Sequence, residues 1–298
     1  MRVNAQLIDA DSGAHLWADQ FDTPRTDLLQ TQDEIVTRLA RALDFQRPEA
    51  EVARLKRTPA ANPDAEDLAL RCEAGVQALL RKGRVIGKDA DDAGYRLCEE
   101  GLAADPNNVR ALTWWSGKFL YPVIWGLSVD PTGDLKRADE LTSKALALDP
   151  NYARAHYMKA YIFSAQRRLD ESNEEFERAL ALDPALLSAV AGLGFNYLYL
   201  GQFEKGLEYF AKALRLSPHD PSLGGWYQGE AVGYFVLKQY DQTVEWARRA
   251  IAIDPNTNPW LHLNLISALA LSGHEAEAHE ALQNYLASVP SGPKTIAA

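Results

Sequence analysis

The chain has 298 residues, with 31 Lys and Arg against 41 Asp and Glu, and a formal net charge of −10. This acidic balance, with no compact Lys/Arg cluster, opposes nucleic-acid binding, which needs a basic footprint. No stretch approaches the roughly 18 uninterrupted apolar residues of a membrane span, so no membrane insertion is expected, and Met1-Arg2-Val3-Asn4 lacks the apolar run of a signal peptide.

Residues 2–9 and 14–21 each alternate with period two around the turn sequence Ala10-Asp11-Ser12-Gly13, in which Gly13 suits a positive φ. The pattern predicts a β-hairpin with Val3, Ala5 and Leu7 on one face of the first strand and Trp17 and Phe21 on one face of the second. An isolated hairpin is marginal in water, and its free edges are a template for pairing. A homodimer contact through the hairpin edge is therefore expected. Residues 26–45 read as a helix capped by Thr26 or Asp27, with Leu28, Ile35, Leu39 and Ala42/Leu43 as its apolar stripe. Residues 46–63 carry Pro48, Pro59 and Pro63 around a short helical run and read as a linker.

From residue 64 the chain repeats. Ala160, Phe163, Phe176, Ala179 and Pro184 recur 34 positions on as Gly194, Tyr197, Phe210, Ala213 and Pro218. A period in the range of roughly 20–50 residues marks stacked supersecondary units. Each unit reads as two amphipathic helices. Small residues let the two backbones approach, aromatic residues fill the space beside them, and proline ends the second helix. One such pair cannot bury its apolar face alone, so neighbours must stack. The closing prolines at 106, 150, 184, 218, 255 and 290 delimit six units: 64–106, 107–150, 151–184, 185–218, 219–255 and 256–290. Extra residues fall where loops are expected, at Arg81–Lys88, Pro122–Asp134 and His219–Gly225. Residues 291–298 form a tail.

Cys72 and Cys98 are the only cysteines. Two cysteines do not make a disulfide framework, and the low count fits a reducing compartment, so a cytoplasmic location is expected. Both fall on helices of one unit, where cysteine acts as a small buried hydrophobe. No catalytic, cofactor or metal constellation emerges. Gly83-Arg84-Val85-Ile86-Gly87-Lys88-Asp89 is one residue short of a phosphate loop, with Asp89 where Ser or Thr would hold Mg²⁺. His274 and His279 are five apart rather than the four of a helical zinc pair, and Asp91/Asp92, Glu99/Glu100 and Glu174/Glu175 diverge as helix neighbours. No enzyme activity and no cofactor are expected.

The alternation of small and large residues in Ala153–Pro218 resembles the tetratricopeptide (TPR) family. The resemblance implies an all-α fold, a right-handed superhelical solenoid of about six helix pairs, here preceded by the short hairpin and helix. It also implies a concave surface lined by the first helix of each unit, at pattern positions 2, 5, 9 and 12–13. Those positions are Arg110, Thr113, Gly117 and Tyr121; then Arg154, Tyr157, Tyr161 and Ser164; then Ser188, Ala191, Phe195 and Leu198/Tyr199; then Gln228 and Val232. Arg110, Tyr121, Arg154, Tyr157, Tyr161, Phe195, Tyr199 and Gln228 are the candidate residues for a peptide-binding groove, since tyrosine and arginine are frequent interface anchors. Thr113/Gly117 and Tyr157/Tyr161 stand where a Lys/Asn set would clamp a C-terminal carboxylate, which speaks against that ligand.

A second resemblance covers nearly the whole chain. "RVNAQLIDADSGAHLWADQFD", "LLQTQDEIVTRLARAL", "AEVARLKRTP" and "RLSPHDP" are similar to the region that joins a TolB-like sheet domain to TPR repeats in bacterial class III adenylate/guanylate cyclases. It implies that residues 1–45 are the end of a larger sheet domain, and that the chain is a regulatory region or a relative without the catalytic half. Related tails also occur in some winged-helix transcription activators.

Overall fold

The computed structural model describes residues 2–8, 13, 15–22, 32, 35–40, 64–81, 93–218, 220, 222–253 and 259–288. The linker 46–63, the Gly83–Lys88 stretch and the tail 291–298 lie outside these residues. Strand β1 (Arg2–Ile8) pairs antiparallel with β2 (His15–Asp22), bringing Val3 opposite Phe21 and Leu7 opposite Trp17, with a register irregularity between Leu7 and Ile8. Gly13 has a φ of +68°. Of the stretch 26–45, residues 32 and 35–40 are helical and the others lie outside the described residues.

The remaining elements among the described residues are α-helices joined by turns. The helices divide between two compact parts, Met1–Ala189 and Val190–Ala298. The first part holds α1 (Ala65–Arg81), α2 (Ala93–Ala104), α3 (Val109–Ile124), α4 (Pro131–Leu148), α5 (Ala153–Ala165) and α6 (Leu169–Leu182). Within it, α1 packs on α2, α3 on α4, and α5 on α6, and the first helices α1, α3 and α5 also touch in succession. The second part holds most of α7 (Leu187–Tyr199), then α8 (Phe203–Leu216), α9 (Leu223–Val236), α10 (Tyr240–Ile253), α11 (Pro259–Leu271) and α12 (Glu275–Ser288). There α9 packs on α10, α11 on α12, and the first helices α9 and α11 meet.

The crossing inside a pair is set by small residues. In the second part a Cβ on Gly206 would lie 2.9 Å from the Gly194 carbonyl oxygen, so the backbones of α7 and α8 leave no room for a methyl group. In the first part the equivalent contact is Ala160 against Ser172, whose buried Oγ donates to the Ala160 carbonyl at 2.7 Å. The aromatic plugs Phe176 and Phe210 are fully buried, as are Ala179 and Ala213.

The five turns inside pairs that lie among the described residues share one backbone design. Gly126, Arg167, Gly201, Lys238 and Gly273 all have positive φ. The next residue's N–H reaches back five positions, from Leu127 to Pro122, Arg168 to Phe163, Gln202 to Tyr197, Gln239 to Tyr234 and His274 to Leu269, at 2.8–2.9 Å. This 6→1 bond around a left-handed residue caps the orphan carbonyls of the first helix. Between pairs, aspartate supports the stop. Asp105, Asp149 and Asp183 each accept the N–H two residues on at 2.9–3.0 Å, an Asx turn that straddles the helix-breaking proline.

Two expectations need correction. The loop expected over Pro122–Asp134 is shorter. α3 runs through Pro122 to Ile124, because proline in a last turn removes only one ladder bond, and α4 begins at Pro131, where Asp130 caps it by accepting from Gly133 N. The cysteines are fully buried, but they are not separate: Cys72 on α1 and Cys98 on α2 form a disulfide with a Cα–Cα distance of 5.2 Å. The sequence separation of 26 hides this pairing, which a helix hairpin creates by folding back. By chain entropy a loop of that size is worth about 3.5 kcal/mol.

Two stability predictions follow from these backbone contacts. Gly206→Ala should destabilise by about 1–3 kcal/mol in urea unfolding, the overpacking cost outweighing alanine's helix preference. Lys238→Gly should stabilise by about 0.5–1 kcal/mol, since left-handed strain exceeds glycine's added unfolded-state entropy.

Candidate functional site

In the first part, Arg110 opens α3 and is tied to α1. Its Nε donates to Glu66 Oε1 at 2.9 Å and its Nη1 pairs with Glu73 Oε2, while Asn108 Nδ2 donates to Glu66 Oε2 at 2.9 Å. Gln77 Nε2 supports the other Glu73 oxygen at 3.3 Å. Burial opposes the guanidinium charge, but Tyr152, Glu73 and Glu66 outweigh it and hold the group above its ordinary range. Burial first, then Glu73, pushes the neighbouring Tyr152 hydroxyl up to about 12. Arg110 is thus a clamp between successive helix pairs.

Arg154 stacks its guanidinium over two rings, 4.8 Å from the Trp114 centroid and 5.0 Å from that of Tyr157. Tyr157, Tyr161 and Phe176 form an edge-to-face cluster with centroids 5.0–6.1 Å apart. Tyr121 and Tyr157 are only 5% and 8% exposed. The Tyr121 hydroxyl approaches Met158 Sδ at 3.8 Å, and burial raises its pKa well above the tyrosine range. These two candidates are packing residues of the first helices, which sit side by side. Tyr161 is half-buried. The same part ties α4, α5 and α6 together by polar contacts. His156 Nδ1 lies 2.6 Å from Glu175 Oε2 and its Nε2 lies 2.8 Å from the Pro150 carbonyl, and Lys159 pairs with Asp139.

In the second part Phe195 is half-buried against Phe210 at 4.9 Å, Gln228 is half-buried, and Tyr199 is 57% exposed. Two exposed residues escaped the sequence argument. Trp260 is 70% exposed, and Leu271 lies at the far end of the same helix, also exposed. They occupy in α11 the offsets that select Arg154 and Tyr199 earlier, so extending the pattern to the sixth unit would have found them. Val236, at the Tyr199 offset in α9, is exposed as well.

Glu230 on α9 is 2% exposed, and its Oε2 has no hydrogen-bond partner. Burial raises its pKa to about 7, and Tyr234 on the same helix feels its charge together with that of Glu245 on α10. Among the described residues no group of three or more His, Cys, Asp or Glu side chains converges to hold a metal, and no helix is long and apolar enough to cross a membrane. His274 Nδ1 faces Glu277 at 3.3 Å on the exposed side of α12.

Residues 153–186 and 189–220 each match a family model described as Tetratricopeptide repeat, so this stretch of the chain consists of TPR repeats. Among curated proteins, Putative adenylate cyclase 3 of Rhizobium meliloti (strain 1021) is 30% identical over 172 residues, which is 58% of this chain and 28% of that protein. The chain therefore spans a minor share of the length of the curated relative it matches. Among solved structures, the APC/C hetero-tetramer Cut9–Hcn1 aligns with a TM-score of 0.63 at 14% identity, over 84% of this chain and 45% of that one. The Pseudomonas aeruginosa pilF structure aligns with a TM-score of 0.54 at 19% identity, over 76% and 95%. At such identities the likeness concerns the fold.

The clamp and the buried acid each make a prediction. Arg110→Gln should cost about 1–3 kcal/mol by stranding Glu73, and Glu73→Gln in the same chain should recover part of it in a double-mutant cycle. Glu230 has a folded pKa of about 7 against an ordinary 4.5, so its folded state binds the proton more tightly. Its contribution is whole below pH 4.5 and is lost as pH rises through about 7. Glu230→Gln should therefore raise the Tm at pH 8 and leave it unchanged at pH 4.5.

Proposed function

We propose that the chain is a non-catalytic interaction module that takes a peptide or protein segment on the faces of its first helices. TPR repeats act as protein-interaction scaffolds, and the observation that supports a docking face here is the exposure of Tyr199, Val236 and Leu271 at one shared helix offset of the second part, with Trp260 exposed at the offset of Arg154. Large aromatic side chains in the open are the residues that carry binding energy when a partner desolvates them. In the first part, Arg154 and Tyr161 are the corresponding contact residues, with Tyr121 and Tyr157 behind them as packing and Arg110 as their anchor to α1. We also propose the right-handed solenoid of six units as the arrangement of the repeats, and the hairpin edge as a homodimer contact. The cytoplasmic location loses its cysteine argument, because the two cysteines are bonded to each other.

A second function is favoured by the 30% identity to Putative adenylate cyclase 3. The chain would serve as the regulatory region of a class III cyclase-type signalling protein, its repeats binding the segment that controls nucleotide turnover. Expressing the reading frame from its natural start and assaying cyclic AMP formation from ATP separates the two. Turnover by that product supports the regulatory role, and its absence leaves the stand-alone scaffold.

The docking face is tested by placing a photo-crosslinking phenylalanine analogue at Tyr199, at Trp260 and, as a control on an exposed second-helix position, at Glu208. Capture from source-cell lysate should occur at the first two and fail at Glu208. Equal yields at all three would remove the face. With the captured partner in hand, Trp260→Ser should weaken binding by about tenfold or more.

A further inference from the structure

We propose that Cys72 and Cys98 are a reversible thiol–disulfide couple whose state sets how firmly α1 holds Arg110. The geometry of the first helix pair carries this. α1 and α2 meet along a seam of small residues, where a Cβ on Gly75 would lie 3.0 Å from Gly94 Cα and one on Gly101 would lie 3.4 Å from Leu68 Cβ. Between those two crossings sit Cys72 and Cys98, fully buried, with Cα atoms 5.2 Å apart, inside the range a disulfide needs.

The pair does not depend on the bond for its packing. Leu68, Ala69, Val76 and Tyr95 are buried around it, and a cysteine thiol is itself a small apolar group that fits such a core. Both oxidation states are therefore compatible with the same helix pair, and what changes is its stiffness. The residue after Cys72 is Glu73, which pairs with Arg110 on α3, and about two turns before Glu73 is Glu66, the second partner of Arg110. The bond fixes the turn of α1 that carries Glu73, the more buried of the two clamp partners.

Oxidation proceeds by exchange with a low-molecular-weight disulfide such as glutathione disulfide. The thiolate of one cysteine attacks it, forms a mixed disulfide and expels one glutathione. The other cysteine's thiolate then attacks the protein sulfur of the mixed disulfide, closes the Cys72–Cys98 bond and expels the second. Two protein thiols are oxidised, one glutathione disulfide is reduced to two thiols, and these carry the two protons away. Because both sulfurs are buried, exchange requires the α1–α2 pair to open locally.

The test equilibrates the full chain in glutathione buffers of graded GSH:GSSG ratio, quenches in acid, alkylates, and counts labelled thiols by mass. It then follows hydrogen–deuterium exchange of the fully oxidised and fully reduced chain. One cooperative transition between no and two labelled thiols is expected. Reduction should speed amide exchange in α1, α2 and the first turns of α3 by about tenfold and leave α9–α12 unchanged. A Cys72→Ala/Cys98→Ala variant should be insensitive to the buffer. Thiols that stay free at every ratio, a bond that yields only on global unfolding, or equal protection of α3 in both states would each overturn the proposal. Amide protection is the readout, so the outcome does not depend on whether a peptide binds.

Discussion

The structure depends on how closely two helices of a pair can cross. At Gly194–Gly206 and Ala160–Ser172, and at Gly75–Gly94 in the first pair, the contact is made by backbone or by the smallest side chains. That proximity creates the gap that Phe176 and Phe210 fill, and it puts first helices next to one another. A pair held this way has one apolar side left over, and the next pair covers it. Side chains of the first helices therefore divide into those that pack and those that remain available, and function can use only the latter.

The helix pairs were legible because their signal is local and periodic. Phe176, Phe210, Ala179 and Ala213 announce themselves by a fixed spacing, and all four are fully buried. The candidate site was legible only in outline. The pattern positions that select Arg154, Tyr161 and Tyr199 also select Tyr121 and Tyr157, and nothing in the spacing says which tyrosine of a row faces a neighbouring helix. The Arg110 clamp joins residues 37 and 44 positions apart, and the disulfide joins residues 26 apart. Such contacts have no periodic trace, since they use the fold once. Pro122 shows the opposite error: a breaker read too strictly, in a turn where only one hydrogen bond was at stake.

The five described turns inside pairs separate backbone requirement from side-chain choice. Three of the five left-handed positions hold glycine, and the other two hold Arg167 and Lys238, yet all five make the same 6→1 hydrogen bond. The hydrogen-bond pattern, not the residue, defines the turn. This is why a sequence motif built on residue identities marks the helix faces and passes over the turns.

The stacked guanidinium of Arg154 carries a further implication. Held over Trp114 and Tyr157, it has surrendered its rotamer freedom in the folded chain. The cost of ordering this long side chain is therefore met on folding, by the two rings beneath it, and not at any later encounter.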